Sequence, residues 1–411
     1  MKSIRVVMAV GGLLLATACS SGGGTGGTGG TTGAGGSGGG GASGQPGTVA
    51  SAGQSKASTA VVDIEPKDGT TGVAPSGALK VSVASGKLTQ VAVTAPDGSA
   101  VAGTLAPDGS SWVPAAGLSV SSTYKVAAQA TDANGVASTT NSSFTTLTPK
   151  KTSGSQDNIT TGSTYGVGMI IQIQFGQMVK NKDAVDKAVT VVASDGSVVK
   201  PHWFNEDNWL ELRPQTFWKP GTTVQVHIRL KSVETSPGVY GGSDRDESFT
   251  IGRSQVSTVD AAAHQMTVVT DGRANRVIPV TTGASNPANW ATYNGTMVIE
   301  RKEGTVEMKS ASVPGLGGTP YDEQVPDSMR LTDSGTYVHG NYWAVGAYGH
   351  ENVSHGCVGL QDVEGGSPTS VAGKMYADSI VGDVVIVKGS TGPQVDPGNG
   401  LSGWNINWNN W

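Results

Sequence analysis

Cysteine, charge and long apolar runs are all scarce in this chain. Its 411 residues contain two cysteines, Cys19 and Cys357, which excludes a small scaffold held together by several disulfides. Charged residues make up 14% of the chain, the formal net charge is −5 and no basic block occurs, so no nucleic acid partner is predicted. An apolar run over residues 6–15 is far shorter than the ~20 residues of a membrane-spanning helix.

Glycine and strand-favouring residues dominate what is present. The chain has 61 glycines and many Val, Thr and Ser residues, whereas runs that favour helices are few. This composition predicts a mainly β protein, and the length predicts roughly two to four domains.

The N-terminus has the pattern of an export signal. Two basic residues precede the apolar run, and residues 16–19 place small side chains before Cys19, as in a bacterial lipobox with its leucine one position early. The pattern predicts lipidation of Cys19, an anchor on the outer face of the cell membrane, and folded domains in the cell wall or periplasmic space. The alternative is an ordinary signal peptide that is cleaved after Ala18.

Composition and turn signals divide the rest of the chain. Gly, Ser and Thr dominate the stretch after the signal and predict a flexible tether, whereas short alternating runs separated by Pro-Asp-Gly turns predict immunoglobulin-like sandwiches. The predicted segments are a lipoprotein signal peptide (1–18), a tether (19–58), immunoglobulin-like domains 1 (59–148) and 2 (149–252), a β-rich third domain (253–389), and a Trp-rich tail that packs on the folded domains (390–411).

Two local features inside these domains are open to interpretation. Trp203, Trp209 and Trp218 favour core packing in the second sandwich, and the alternative is a carbohydrate-binding stripe. In the third domain, the pattern predicts one helix that carries Val371 to Tyr376, with Ser367 as its N-cap.

The chemistry is concentrated between residues 337 and 358. Cys357 has no disulfide partner if Cys19 carries lipid, and His339 precedes it by eighteen positions. A thiol becomes a strong nucleophile as a thiolate, and a neighbouring imidazolium is expected to lower its pKa. Gly340 and Gly356 leave room for a substrate and for backbone N–H groups directed at an oxyanion. A buried structural cysteine is the alternative.

The order of these residues limits the possible families. Papain-like peptidases place cysteine before histidine, and sortases require a downstream arginine that is not evident here. The run His339-Gly340 followed by Ser354-His355-Gly356-Cys357 resembles the signature of the peptidoglycan L,D-transpeptidases. The signal, tether, paired sandwiches and Trp-rich tail resemble the multidomain lipoprotein branch of that family.

The resemblance implies a mainly β catalytic domain and a specific acyl transfer. Cys357 attacks the carbonyl of the third stem residue and releases the terminal D-alanine, and an amine of a second stem resolves the thioester into a 3→3 cross-link. His339 acts as acid and base and is oriented by the carbonyl of Gly340, while N–H groups at Gly356 and Cys357 stabilise the oxyanion. Carbapenem-type β-lactams are expected to acylate Cys357.

Further site residues follow from the same resemblance. His355 braces the active-site loop or serves as a second base, and a zinc site formed by His350, His355 and Cys357 matches no common spacing. No cofactor or metal is predicted. The residues predicted to bind substrate are Tyr321, Ser334, Gly335 and Asn352.

Two positions depart from the family pattern. Members often have arginine or asparagine where this chain has Gly359, and serine where it has Gly340. The expected partners are donor and acceptor stem peptides, together with the membrane through the lipid anchor. The alternatives are an L,D-carboxypeptidase, which uses water as acceptor, and a wall-binding lipoprotein without catalytic activity.

Overall fold

The computed structural model describes residues 56–204, 208–309 and 322–411. The predicted signal peptide, the tether up to residue 55, Cys19 and Tyr321 lie outside the described residues. In the described part, the two α-helices are short, and neither is long and apolar enough to cross a bilayer.

The first sandwich consists of two four-stranded sheets, in the orders β1-β3-β6-β5 and β2-β8-β7-β4. Alternate residues of β7 (Tyr124, Val126, Ala128 and Ala130) are buried between the sheets, as expected for strands with one face towards the core. The strands are β1 Val61–Glu65, β2 Thr70–Val73, β3 Lys80–Ala84, β4 Lys87–Thr94, β5 Gly103–Leu105, β6 Ser111–Pro114, β7 Thr123–Thr131 and β8 Ala137–Thr146.

The second sandwich has sheets in the orders β10-β12-β15-β14 and β11-β19-β16-β13, with a small sheet β17-β18-β9 at its side. Trp218 is buried and donates its indole N–H to the carbonyl of Met169 at 2.7 Å, which favours the core interpretation for this tryptophan. The elements are β9 Lys151–Ser153, β10 Ser155–Asp157, β11 Thr164–Tyr165, β12 Ile171–Phe175, α1 Lys182–Ala188, β13 Val189–Ala193, β14 Val199–Phe204, β15 Trp209–Pro214, β16 Thr223–Arg229, β17 Glu234–Ser236, β18 Val239–Gly241 and β19 Asp244–Ile251.

The third domain is built on a nine-stranded sheet in the order β23-β28-β20-β21-β22-β27-β26-β25-β24. The mainly β fold class predicted from composition is therefore confirmed, whereas the exact domain boundaries stay predictions. The elements are β20 Gln255–Asp260, β21 Gln265–Thr270, β22 Arg273–Thr281, β23 Gly295–Val298, β24 Arg301–Lys309, β25 Asp322–Arg330, β26 Tyr337–Asn341, β27 Val358–Gln361, α2 Val371–Asp378 and β28 Val384–Lys388.

Helix α2 was predicted correctly, but its N-cap was not. Ser370 is the N-cap, because its side-chain oxygen accepts the N–H of Gly373 at 2.8 Å. Ser367 lies one turn earlier, where its carbonyl accepts the N–H of Ser370. Both serines precede the apolar residues of the helix. Because a turn separates them, the helix begins three residues later than the predicted N-cap implied.

The core of the second sandwich extends into one side of the catalytic domain, whose other buried residues form a core of their own. Val298 and Val384 of the catalytic sheet and Leu401 of the tail belong to the same buried cluster as Met169 and Ile170. The two domains are also joined by backbone hydrogen bonds, since the N–H groups of residues 166 and 168 donate to the carbonyls of residues 381 and 382 at 2.8 Å. The second sandwich and the catalytic domain are therefore packed directly against each other.

The tail lies against the second sandwich through Arg213. The guanidinium carbon of this buried arginine lies 4.8, 5.5 and 4.0 Å from the ring centroids of Trp404, Trp408 and Trp411. Its neighbour Glu211 is also fully buried, and burial raises the pKa of Glu211 to about 8, so this carboxyl is mostly neutral at pH 7. The charge at this contact therefore belongs mainly to Arg213.

Candidate active site

The predicted base lies in one strand, and the predicted nucleophile lies directly before the adjacent strand. Strands β26 and β27 run parallel, and His339 in β26 pairs with Gly359 in β27. Cys357 directly precedes β27 and comes level with Tyr337, whose backbone lowers the pKa of the thiol. Because alternate residues of a strand project to the same face, the pairing places the thiol and the imidazole on one face of the sheet. The fold therefore brings together the two residues that the sequence predicted as a catalytic pair.

His339 is oriented by its own neighbour. The imidazole is buried, and Nδ1 donates to the carbonyl of Gly340 at 2.8 Å. A carbonyl can only accept, so Nδ1 carries the proton in the neutral ring and Nε2 keeps its lone pair as a base. Trp343 stacks on the imidazole, with ring centroids 6.0 Å apart. Burial lowers the pKa of His339 to about 4, although the bond to Gly340 works in the opposite direction.

The Cys357 thiol is held in its neutral form. Its Sγ donates to the carbonyl of Gly335 across 3.7 Å. Cys357 keeps some solvent exposure as a residue, but the protein atoms around its sulfur raise the pKa of the thiol to about 11, against the opposing effect of the Tyr337 backbone. The resting site thus favours a neutral thiol beside a neutral imidazole. This corrects the expectation from sequence, in which an imidazolium lowers the thiol pKa, because burial disfavours both charged forms.

We expect the pH dependence of Cys357 alkylation to reveal this state. With a thiol pKa of about 11, the thiolate fraction and the iodoacetamide rate should rise about tenfold per pH unit from pH 7 to pH 10. The measurement is the rate of adduct formation by intact-protein mass, with glutathione as the matched control that levels off near its own pKa. A rate that is already constant at pH 7 would mean that a thiolate–imidazolium pair exists at rest.

Ser354 and Gly356 shape the loop that carries the thiol. The Ser354 hydroxyl donates to the carbonyl of Cys357 at 2.6 Å, and its oxygen accepts the N–H of Gly356 at 3.3 Å. Its backbone N–H donates to the carbonyl of Thr282, which fixes the loop on the neighbouring segment. Gly356 has a φ of +119°, a conformation that side chains other than glycine rarely adopt. These two residues therefore set the backbone at the site, and stabilisation of an oxyanion by the N–H groups of Gly356 and Cys357 stays a prediction.

His355 packs against Trp290. The two ring centroids are 3.9 Å apart, and burial lowers the pKa of His355. This contact supports the interpretation that His355 braces the loop. Among residues 56–204, 208–309 and 322–411, no group of three His, Cys, Asp or Glu side chains is arranged to hold a metal ion, so the considered zinc site with His350 and Cys357 has no structural support.

Two of the predicted substrate-binding residues lie beside the thiol. Ser334 and Gly335 form the tip of the loop between β25 and β26, and the Gly335 carbonyl is the acceptor of the Cys357 S–H. Tyr321 lies outside the described residues, and its contact with substrate stays a prediction.

Asn352 connects the active-site loop to neighbouring backbone segments. Its Oδ1 accepts the N–H of Thr282 at 2.9 Å and lies 3.0 Å from Nδ1 of His264, while its Nδ2 donates to the carbonyl of Ala261 at 2.9 Å. Both ends of the amide are therefore used to attach the active-site loop to strand β22 and to the segment that follows β20. Substrate contact by Asn352 stays a prediction, and no pattern in the sequence indicated the structural role.

The two glycines that depart from the family pattern lie where other side chains need space. A Cβ on Gly340 would overlap Oδ2 of Asp362, whose carboxylate neighbours that of Asp327. Burial and this neighbour raise the pKa of Asp327 to about 6. A Cβ on Gly359 would lie 2.9 Å from Nδ2 of the buried Asn341. Each missing side chain is thus matched by a polar side chain that fills its place.

The sequence matches two family models. Residues 254–386 match the L,D-transpeptidase catalytic domain, and residues 70–234 match the bacterial Ig domain. Among solved structures, LD transpeptidase LdtMt1 in complex with imipenem aligns with a TM-score of 0.47 at 26% identity, over 57% of this chain and 97% of that chain. An L,D-transpeptidase from Mycobacterium smegmatis aligns with a TM-score of 0.44 at 28% identity, over the same shares.

Two curated relatives extend over most of the chain. L,D-transpeptidase 5 of Mycobacterium tuberculosis (strain ATCC 25618 / H37Rv) is 28% identical over 352 residues, which are 84% of this chain and 75% of the relative. L,D-transpeptidase 2 of Mycobacterium tuberculosis (strain CDC 1551 / Oshkosh) is 30% identical over 349 residues, which are 84% of this chain and 82% of the relative. With this similarity along both the sandwiches and the catalytic sheet, the chain belongs to the L,D-transpeptidase family.

Proposed function

We propose that this protein forms 3→3 cross-links between peptidoglycan stem peptides through a thioester on Cys357. The observation that carries the proposal is the placement of the Cys357 thiol and the His339 imidazole on adjacent parallel strands. The Nδ1–H bond to Gly340 leaves Nε2 of His339 as the basic atom. A carboxylate is not needed as a third member beside the thiol and the imidazole, because the backbone carbonyl of Gly340 orients the ring.

The acylation half of the reaction begins from two neutral groups. As Sγ of Cys357 bonds to the carbonyl carbon of the third stem residue, its proton passes to Nε2 of His339. The tetrahedral intermediate collapses, the C–N bond to the terminal D-alanine breaks, and the imidazolium protonates the departing amine. Because burial lowers the pKa of His339 to about 4, the imidazolium formed at this point is a strong acid that transfers its proton readily.

The second half returns the enzyme to its starting state. The side-chain amine of an acceptor stem attacks the thioester carbonyl and loses a proton to His339. The C–S bond then breaks, and the proton passes from His339 back to the sulfur. The high thiol pKa that burial imposes favours this last protonation, so free enzyme is regenerated with the same two neutral groups.

The location that we propose rests on the sequence. The small residues before Cys19 support a lipid anchor on the outer face of the cell membrane, and the tether that follows supports a catalytic domain placed in the wall. A wild-type protein that fractionates with membranes, and a Cys19→Ala variant that does not, are the expected results.

A soluble disaccharide-tetrapeptide stem tests the activity directly. We expect mass spectrometry of the products to show cross-linked dimers and free D-alanine, because donor and acceptor are both present in this substrate. Tripeptides without dimers would mean that water is the acceptor and that the protein is a carboxypeptidase. Unchanged substrate would overturn the proposal in favour of a binding protein.

A further inference from the structure

The loop beside the thiol is held together from within at its base. The N–H of Leu331 donates to the carbonyl of Thr336 at 2.9 Å, and the N–H of Thr336 donates to the hydroxyl of Thr332 at 2.9 Å. The tip of the loop, at Ser334 and Gly335, projects beyond this closure, and Ser334 is exposed. Within the loop, the N–H of Gly335 donates to the carbonyl of Thr332 at 3.1 Å, and the hydroxyls of Ser334 and Thr332 lie 3.2 Å apart. The tip is therefore held partly from within and partly by contacts from outside the loop.

The C-terminal tail supplies the outside contacts from two consecutive residues. Oδ1 of Asn399 accepts the N–H of Ser334 at 3.0 Å, and Nδ2 of Asn399 donates to the Ser334 hydroxyl at 2.8 Å. The next N–H, of Gly400, donates to Oδ2 of Asp333 at 3.2 Å. Asn399 thus makes a reciprocal pair of hydrogen bonds with the residue that precedes the Gly335 carbonyl.

The tail is itself fixed on the side away from the loop. Gly400 has a φ of +72°, and a Cβ there would overlap Oε1 of Glu300, the atom that accepts the N–H of Leu401 at 3.2 Å. Leu401 is 4% exposed and lies in the core shared with the second sandwich. Trp404 donates its indole N–H to the carbonyl of Gly168 at 2.8 Å. The Asn399 side chain is therefore presented from a rigid support.

We propose that Asn399 is a positioning residue for the acylation of Cys357. Asn399 fixes the tip of the loop at Ser334 and Gly335. In this way it also positions the Gly335 carbonyl, which accepts the S–H of Cys357, and the surface that we expect the donor stem to contact. The inference rests on the proposed function, because it concerns the donor of that reaction. Displacements on the order of 1 Å at a reacting centre are costly, and exposed loops move on nanosecond to microsecond timescales unless they are tied down.

The test compares Asn399→Ala with Asn407→Ala in the full mature chain. Asn407 is an exposed residue of the same tail whose Oδ1 accepts the N–H of Asn409 at 2.9 Å, so the control removes a comparable hydrogen bond that does not reach the loop. We expect Asn399→Ala to raise KM for a soluble tetrapeptide donor about tenfold, with kcat within about threefold of the wild type. Asn407→Ala should leave both constants unchanged.

A double-mutant cycle with Ser334→Ala separates positioning from general stability. Ser334→Ala removes the hydroxyl bond to Asn399 but keeps the bond from the N–H of residue 334 to Oδ1 of Asn399. If Asn399 acts through Ser334, the combined effect on KM should therefore be smaller than the product of the two single effects, whereas independent roles would multiply them. KM does not depend on the amount of folded enzyme, so it remains decisive even if Asn399→Ala lowers the melting temperature.

The outcomes distinguish this inference from the function on which it rests. Absence of D-alanine release by the wild-type enzyme would overturn the proposed function. A wild type that releases D-alanine, together with an Asn399→Ala variant of equal KM, would overturn the positioning role alone. Multiplicative effects in the cycle would also contradict it.

Discussion

Replacing Cys357 by alanine is expected to abolish cross-linking and D-alanine release while the protein stays folded. Removal of a catalytic nucleophile costs a rate factor of at least about 10⁴, since no neighbouring group replaces the covalent intermediate. The substitution deletes one sulfur atom, whose hydrogen bond to the Gly335 carbonyl is long at 3.7 Å, so the melting temperature should change little. Product analysis by mass spectrometry and circular dichroism of the same sample provide the two measurements.

Cys357→Ser is the matched control for this experiment. It keeps a donor of similar size toward Gly335 but offers an alcohol, which is far harder to ionise than a thiol in a site that already disfavours charge. We expect this variant to be inactive and to form no adduct with a carbapenem, whereas the wild type should gain one adduct. Appreciable turnover by Cys357→Ala would exclude Cys357 as the nucleophile.

Arg213→Ala is expected to have the largest effect on stability. The substitution empties the space between Trp404, Trp408 and Trp411 and leaves the carbonyl of Ile406 without the guanidinium N–H that it accepts at 2.8 Å. The lost packing and cation–π contacts correspond to about 3–5 kcal/mol of unfolding free energy. Thermal and denaturant unfolding of the full chain should show a lower midpoint for the second sandwich and the catalytic domain.

Arg229→Ala controls for the removal of an arginine from the same sandwich. Arg229 pairs with Asp246 at 2.6 Å, but both side chains are largely exposed, and such pairs contribute about 0–1 kcal/mol. Equal unfolding midpoints for Arg213→Ala and Arg229→Ala would show that the tail contributes little to the stability of the two domains. Loss of activity in Arg213→Ala at a temperature where it stays folded would show that tail docking also reaches the active site.

Patterns over short distances predicted much of the fold. Strand β7 buries every second residue, and the alternation of its side chains is visible in the sequence. Helix α1 escaped prediction because it has only seven residues, one of which, Val185, is buried, and its N-cap Asn181 forms no capping bond through its side chain. Such a helix is stabilised by the sheet on which it packs rather than by its own sequence.

The proposed catalytic pair was predicted from the sequence alone. His339 with its following glycine, and Cys357 within Ser-His-Gly-Cys, form local patterns. Such patterns can be recognised in a sequence without knowledge of the fold. The protonation state of the pair was not determined in this way. The pKa of a thiol depends on every atom that surrounds it, and strands distant in sequence supply those atoms, so only the tertiary structure reversed the expected direction.

The roles of the tail and of the second sandwich were likewise decided by tertiary structure. Three tryptophans at the C-terminus indicated that the tail packs somewhere, but Arg213, 193 positions before Ile406, could not be singled out as their partner. Asn399 and Ser334 are 65 positions apart, and neither belongs to a recognisable pair. Contacts of this kind arise because a folded chain buries surface wherever shapes and polar groups match, and sequence separation places no limit on which residues meet.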